Sequence, residues 1–314
     1  MPGVRMDTSA RDCLVLFDTS VEGRLQTGWQ AGVLHQRTKT TKAGPMVYVE
    51  CFPVWDTHSA QAAKAEARRE AHRRAQQKLN ERNVRRKLDV LVNANFGAGD
   101  LIITATYAHG RQPEGEARAH RDIVNYLSRI KYLRRRRGLA PLRYIYITEV
   151  TQSAQYGVRY HHHVILSGDG ITRDEAEACW TRKHGGICNA KRCQPTQRHL
   201  TGFSRYLTQD KRGRSAGRDG RNPQARAMRR SFNPSKNLVH PQPSVADKKI
   251  SIRKAGRIAE TVADFDRAKA IFARLYPDCE LLEVAAWRSP WAAGVYVRAE
   301  LRRVQKQPER RDKR

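Results

Sequence analysis

Two short runs rich in β-branched and aromatic residues, "LRYIYITEV" over 142–150 and "YHHHVIL" over 160–166, constrain this chain more than any other feature. A loop carrying Gly157 separates them, so they read as neighbouring strands of a long-looped antiparallel hairpin. Side chains alternate between the faces of a strand, which sends His161 and His163 to one side and His162 to the other. Glu149 lies at the end of the first run. It shares a face with His161 and His163 if it sits opposite either one in the ladder. Two imidazoles and a carboxylate on one sheet face make a donor set for a divalent metal, provided positions stay open for a substrate oxygen. The same residues also fit a solvated sheet edge with an ordinary exposed glutamate, and His-x-His spacing by itself leaves both readings open.

The surrounding chain is strongly basic. Sixty Lys and Arg against 31 Asp and Glu give a net charge of +29 over 314 residues, with His neutral. Such an excess fits a polyanion, nucleic acid first and an anionic membrane surface second. No stretch approaches the roughly 20 apolar residues of a membrane span, and "CLVLF" near the N-terminus is too short for a signal core. The expectation is a soluble intracellular protein without membrane association. Six scattered cysteines do not form a disulfide framework. Cys179, Cys188 and Cys193, with His184 among them, lack the closely spaced cysteine pair that opens structural zinc sites, so buried free thiols are expected.

Patterning divides the chain further. Residues 1–45 are polar without clear periodicity and are expected to be partly disordered. "PMVYVECFPVW" reads as a strand, and residues 59–93 as a long basic helix with Val84, Leu88, Leu91 and Val92 in a narrow apolar stripe. "DLIITATYAHG" is a strand. The next helix places Ile123, Leu127 and Ile130 on one face and stops at Gly138. Thr172 and Glu175 form a capping-box pattern, "GGICNA" reads as a short strand, and "TQRHLTGFSRYLTQ" as a helix with Leu200, Phe203 and Leu207 in its core stripe. On that helix Tyr206 sits about 90° from the stripe centre at 100° per residue. It either caps the core or faces the metal as a nucleophile toward a phosphodiester. The expected organisation is a core over 46–210 that includes the basic helix, a linker or arm over 211–250, an α/β extension over 251–300 and a charged tail over 301–314. The expected fold class is α+β, a central antiparallel sheet of about five strands with helices on one face and the active site on the other.

In combination these pieces resemble the HUH endonuclease superfamily, in particular the rolling-circle replication initiator (Rep) proteins of bacterial plasmids and phages. "IITATY" (102–107) is similar to the first block of that family, "ITEVTQSAQYGVRYHHHVIL" (147–166) to the second, and "GFSRYLTQDK" (202–211) to the tyrosine block. "KLNERNVRRKLDVLVNANFGAGD" (78–100) and "SFNPSKNLVHP" (231–241) resemble flanking segments of one Rep branch, so the likeness covers about residues 45–300. His162 fills a middle position that is usually apolar or aromatic, which leaves open whether it replaces a neighbour as ligand. Position 209, where members often carry lysine, is glutamine, and the first lysine after the tyrosine is Lys211.

The resemblance implies Mg²⁺ or Mn²⁺ held by Glu149, His161 and His163, with Tyr206 as nucleophile and Lys211 assisting. It implies single-stranded DNA at a replication origin as substrate, a 5′-phosphotyrosine intermediate, and action in the cytoplasm of a bacterial cell. The chain has no G-x-x-x-x-G-K-[ST] phosphate loop, so helicase and polymerase are expected from the host. Arg134, Arg135, Arg136 and Arg137, with Arg85 and Arg86, are expected to contact backbone phosphates, and Tyr144, Tyr146 or Tyr160 to stack on bases. Two alternatives stand beside this: a non-catalytic nucleic-acid-binding protein on the same fold, and a relaxase or transposase of the same superfamily. The block order, with the tyrosine last, argues against the relaxase or transposase.

Overall fold

The computed structural model describes residues 33–55, 71–153, 157–202, 232–247, 249–288 and 295–304. The chain forms two compact units, Leu91–His240 and Met1–Val90 with Pro241–Arg314. The boundary falls inside helix α1 (Ala71–Asn95), whose buried Leu88, Leu91 and Val92 carry the stripe expected from sequence.

In the Leu91–His240 unit the order is β3 (Leu101–Thr106), α2 (Glu116–Arg136), β4 (Tyr144–Ser153), β5 (Gly157–Leu166), α3 (Arg173–His184) and β6 (Cys188–Arg192). The strands pair antiparallel in the spatial order β6-β3-β5-β4, and β7 (Asn233–Pro234) closes the β4 edge. Each of β3-α2-β4 and β5-α3-β6 is thus a crossover between parallel strands with one antiparallel strand inserted between them, a split βαβ arrangement. The preference for right-handed crossovers puts both helices on the same face. Periodicity explains the burial. β3 alternates with Leu101, Ile103 and Ala105 inward. α2 buries Ala119, Ile123, Tyr126, Leu127 and Ile130, which line one side at 3.6 residues per turn. These meet Trp180 of α3, fully buried, in one apolar cluster.

Local signals end the elements where expected. Thr172 and Glu175 form the complete capping box of α3, and α2 stops at Arg136, two residues before Gly138 with its φ of 65°. The β4–β5 loop is shorter than expected, because the strands run to Ser153 and from Gly157. Past the 203–231 stretch, Ser235 exchanges hydrogen bonds with the Tyr144 backbone, Ser235 N donating to Tyr144 O at 2.8 Å and Tyr144 N to Ser235 Oγ at 3.1 Å. The Asn95 side chain then clasps Val239, donating to its carbonyl at 2.8 Å and accepting from its N–H at 2.7 Å.

The other unit differs from the sequence reading. Its own five-stranded antiparallel sheet has the order β8-β1-β2-β10-β9, formed by β1 (Val33–Ala43), β2 (Met46–Trp55), β8 (Ser244–Asp247), β9 (Cys279–Arg288) and β10 (Val295–Arg303). Residues 33–43, part of the 1–45 segment expected to be partly disordered, are therefore a strand paired on both sides. The 211–250 segment is not a plain linker either, since it contributes β7 to one sheet and β8 to the other. The C-terminal residues do not extend the first core. With helices α4 (Ile252–Thr261) and α5 (Phe265–Leu275) they build a second one, in which Val47, Val49, Val297 and Leu301 meet Ile258 and Phe272. Among the described residues no helix is long and apolar enough to cross a membrane.

Candidate functional site

The β3–β5–β4 register determines which side chains share a face. His161 stands opposite Thr106 on one side and Glu149 on the other; His163 stands opposite Thr104 and Ile147. Directly opposed residues of an antiparallel ladder project to the same side. Glu149, His161 and His163 therefore lie together on the face away from α2 and α3, as the sequence alternation requires. Glu149 Oε2 and His163 Nε2 are 3.0 Å apart, Thr104 Oγ1 and His163 Nδ1 3.3 Å, and Thr151 Oγ1 and His161 Nε2 3.3 Å. Because an ionised carboxylate can only accept, Nε2 of His163 donates to Glu149, and in the neutral ring Nδ1 is then the nitrogen that accepts from the Thr104 hydroxyl.

One hard carboxylate with two imidazoles is a donor set suited to Mg²⁺ or Mn²⁺. The residues fit such an ion in type and in face. They are not gathered around a common point, and among the described residues no three His, Cys, Asp or Glu side chains form a ready metal cage. The reason is visible in the contacts: Glu149 turns to His163, while His161 turns toward Thr151. Ligation would replace the shared proton between Glu149 and His163 by the cation.

His162 belongs to the opposite face and cannot join that set. It is fully buried, with Nδ1 2.9 Å from Thr148 Oγ1 and Nε2 2.9 Å from the Tyr107 hydroxyl, and its ring meets Trp180 edge-on at 5.3 Å. Burial, helped by the neighbouring histidines, pulls its pKa down to about 3. Tyr107 in turn contacts Asp122 at 3.4 Å, and Asp122 accepts from Arg118 Nε at 3.1 Å. A polar chain thus runs through the apolar core from Thr148 to Arg118. The alternation separated His162 from its neighbours; its partners Thr148 and Tyr107 had no sequence signal of their own.

The arginines divide. Arg134 is 2% exposed and donates to the carbonyls of Ala140, Ser167 and Asp169, so it holds loops together. Arg137 pairs with Glu175, with Nη1 3.0 Å from Oε2. Arg135 and Arg136 remain on the surface around the Tyr132 ring. Arg86 pairs with Glu50 in the other unit, and burial, with Arg298 near it, lowers its pKa to about 9; Arg85 is half-buried. Tyr144, Tyr146 and Tyr160 all lie on the helix side, where Tyr146 bonds His120 at 3.0 Å and Tyr160 is 7% exposed. Cys188 and Cys193 are buried thiols whose pKa values burial pushes up to about 12, and the His184 ring lies tilted against Trp180 with centroids 4.2 Å apart.

Tyr206 and Lys211 lie outside the described residues. Comparison with protein-family models, with curated proteins and with solved structures finds no match for this chain.

Proposed function

We propose that this protein is a metal-dependent DNA strand transferase that initiates rolling-circle replication in a bacterial cell. The observation that carries the reading is the register of β4 against β5, which opposes Glu149 to His161 and brings His163 within 3.0 Å of the same carboxylate on the face free of α2 and α3. The residues that would hold Mg²⁺ or Mn²⁺ are Glu149, His161 and His163, and the ion supplies Lewis acidity at a scissile phosphate of single-stranded origin DNA. Tyr206 is the nucleophile. Its phenolic oxygen bonds to phosphorus as the bond from phosphorus to the 3′ oxygen breaks, and the phenolic proton ends on the departing 3′-OH, with Lys211 offsetting the charge. The 5′-phosphotyrosine keeps the bond energy of a phosphodiester, so return attack by a 3′-OH reseals the strand without ATP. Unwinding and extension fall to a host helicase and polymerase.

The test is incubation of wild type and Tyr206→Phe with single-stranded oligonucleotides from the protein's own replicon and Mn²⁺, read on a denaturing gel. The expected result is a protein–DNA adduct with wild type that is absent from Tyr206→Phe and abolished by EDTA. An undiminished adduct in Tyr206→Phe overturns the nucleophile. Tight binding with no adduct in either protein favours the non-catalytic reading, which the uncaged donor set also fits.

A further inference from the structure

On the helix side of the Leu91–His240 unit, at the end of the sheet where β3 finishes, a polar cavity of about 310 Å³ opens between the loop after β3, the first turn of α2 and the last turn of α3. That volume suits a nucleotide-sized group. Arg111, Arg118 and Lys183 enter its wall from these three segments. Arg118 and Asp122 offset each other through their 3.1 Å ion pair. Among the described residues neither the Arg111 guanidinium nor the Lys183 ammonium is tied to an acid, and together they outnumber Glu114 on the wall. The amino end of α2, whose N-cap Gly115 supplies no side-chain cap, adds a positive dipole at the rim.

One further observation points to a ligand, and another ties the cavity to the histidine strand. Nε2 of His184, also on the wall, is buried without a hydrogen-bond partner among the described residues. Burial lowers the pKa of this ring, and a neutral imidazole offers one N–H and one acceptor nitrogen to a ligand. The cavity loop is also tied to the histidine strand, since Tyr160 N donates to Gln112 Oε1 at 3.0 Å one residue before His161. The cavity and the Thr106–His161–Glu149 row thus share one end of the sheet, on opposite faces. Nothing in the proposed strand transfer uses this cavity.

We propose that the cavity holds a backbone phosphate of a nucleic-acid strand that passes around the end of β3 and β5 from the histidine face. Arg111 and Lys183 provide the charge and His184 a hydrogen bond. The inference rests on the nucleic-acid part of the preceding proposal and is independent of its covalent chemistry.

The experiment measures fluorescence anisotropy of a labelled oligothymidylate with the full chain in EDTA, for wild type, Arg111→Gln/Lys183→Gln and Lys183→Arg, across a salt series. Pyrophosphate binding is followed in parallel by calorimetry. Both altered side chains are at the surface, so unchanged thermal melting serves as the folding control. The double variant is expected to bind about ten-fold more weakly, with a log–log salt slope shallower by about 0.7 for each phosphate that is no longer neutralised, while Lys183→Arg behaves as wild type. Oligonucleotide affinity and slope unchanged in the double variant would overturn the proposal. Pyrophosphate binding that disappears in the double variant while oligonucleotide binding persists assigns the cavity to free phosphate and overturns the strand path. A metal- and Tyr206-dependent adduct alongside unchanged oligonucleotide binding would sink the cavity proposal alone. Weakened binding with no adduct would sink only the chemistry.

Discussion

His162 shows what the residue scale decides. Its two neighbours meet polar partners on one face while it sits in an apolar core, held by Thr148 and Tyr107. Replacing it with Leu takes that partner from the Thr148 hydroxyl, at a cost of about 1–3 kcal/mol, while Tyr107 keeps Asp122, so His162→Leu is expected to lower the urea midpoint with little change in the slope. The pH dependence has a definite sign. A native pKa near 3 lies below the ordinary histidine value, so at pH 5 the unfolded chain binds a proton that the folded chain refuses. Stability from this group is complete above the unfolded pKa and falls by about 1.4 kcal/mol per pH unit as pH drops below 6. Urea midpoints of wild type and His162→Gln at pH 7 and 5, in EDTA, test this; equal pH sensitivity in the two proteins would refute it. At this scale the alternation of β5 was legible because period 2 needs no partner to be read. The hydroxyls around the histidines were not, since a threonine in a strand is ordinary until its neighbour is known.

At the scale of elements, the "RRRR" run ending α2 illustrates how a linear reading misleads. Successive arginines on a helix point in different directions, and helical geometry turns Arg134 onto the same side as Ile123, Leu127 and Ile130. Arg134→Met is expected to destabilise the fold by about 3 kcal/mol, because three loop carbonyls lose a charged donor, with little effect on the salt dependence of DNA binding. Arg136→Gln, on the surface, is expected to do the reverse: stability within about 0.5 kcal/mol of wild type and a shallower salt slope. Chemical denaturation and anisotropy on the two variants separate these roles. The strands β2, β4 and β5 were readable from β-branched and aromatic content. β1 was not, since its inward residues include Gln36, Thr38 and Thr40 rather than apolar side chains, a buried polar row set across the ladder from Pro53, Cys51 and Val49 of β2. Cys51, across the ladder, bonds to Gln36 at 3.5 Å within that buried strip.

At the scale of the whole molecule, the α+β class follows from local pattern, whereas the second sheet depends on pairing that no window can see: β1 meets β8 and β2 meets β10 across some two hundred residues or more of chain. The two ends of the chain close one unit, and the middle forms the other without a break. Asn95 and Val239, at the two margins of that middle segment, hold each other by two hydrogen bonds. Nested in this way, residues 91–240 amount to a cassette whose beginning and end already touch. Expressed alone, the segment is expected to unfold in a single cooperative transition, seen by circular dichroism in urea, and Asn95→Ala to lower its midpoint. The same clasp makes the cassette a natural candidate for circular permutation: new termini opened elsewhere would leave the histidine strand and its carboxylate partner undisturbed, and the cassette could be carried into another host chain by a two-point graft.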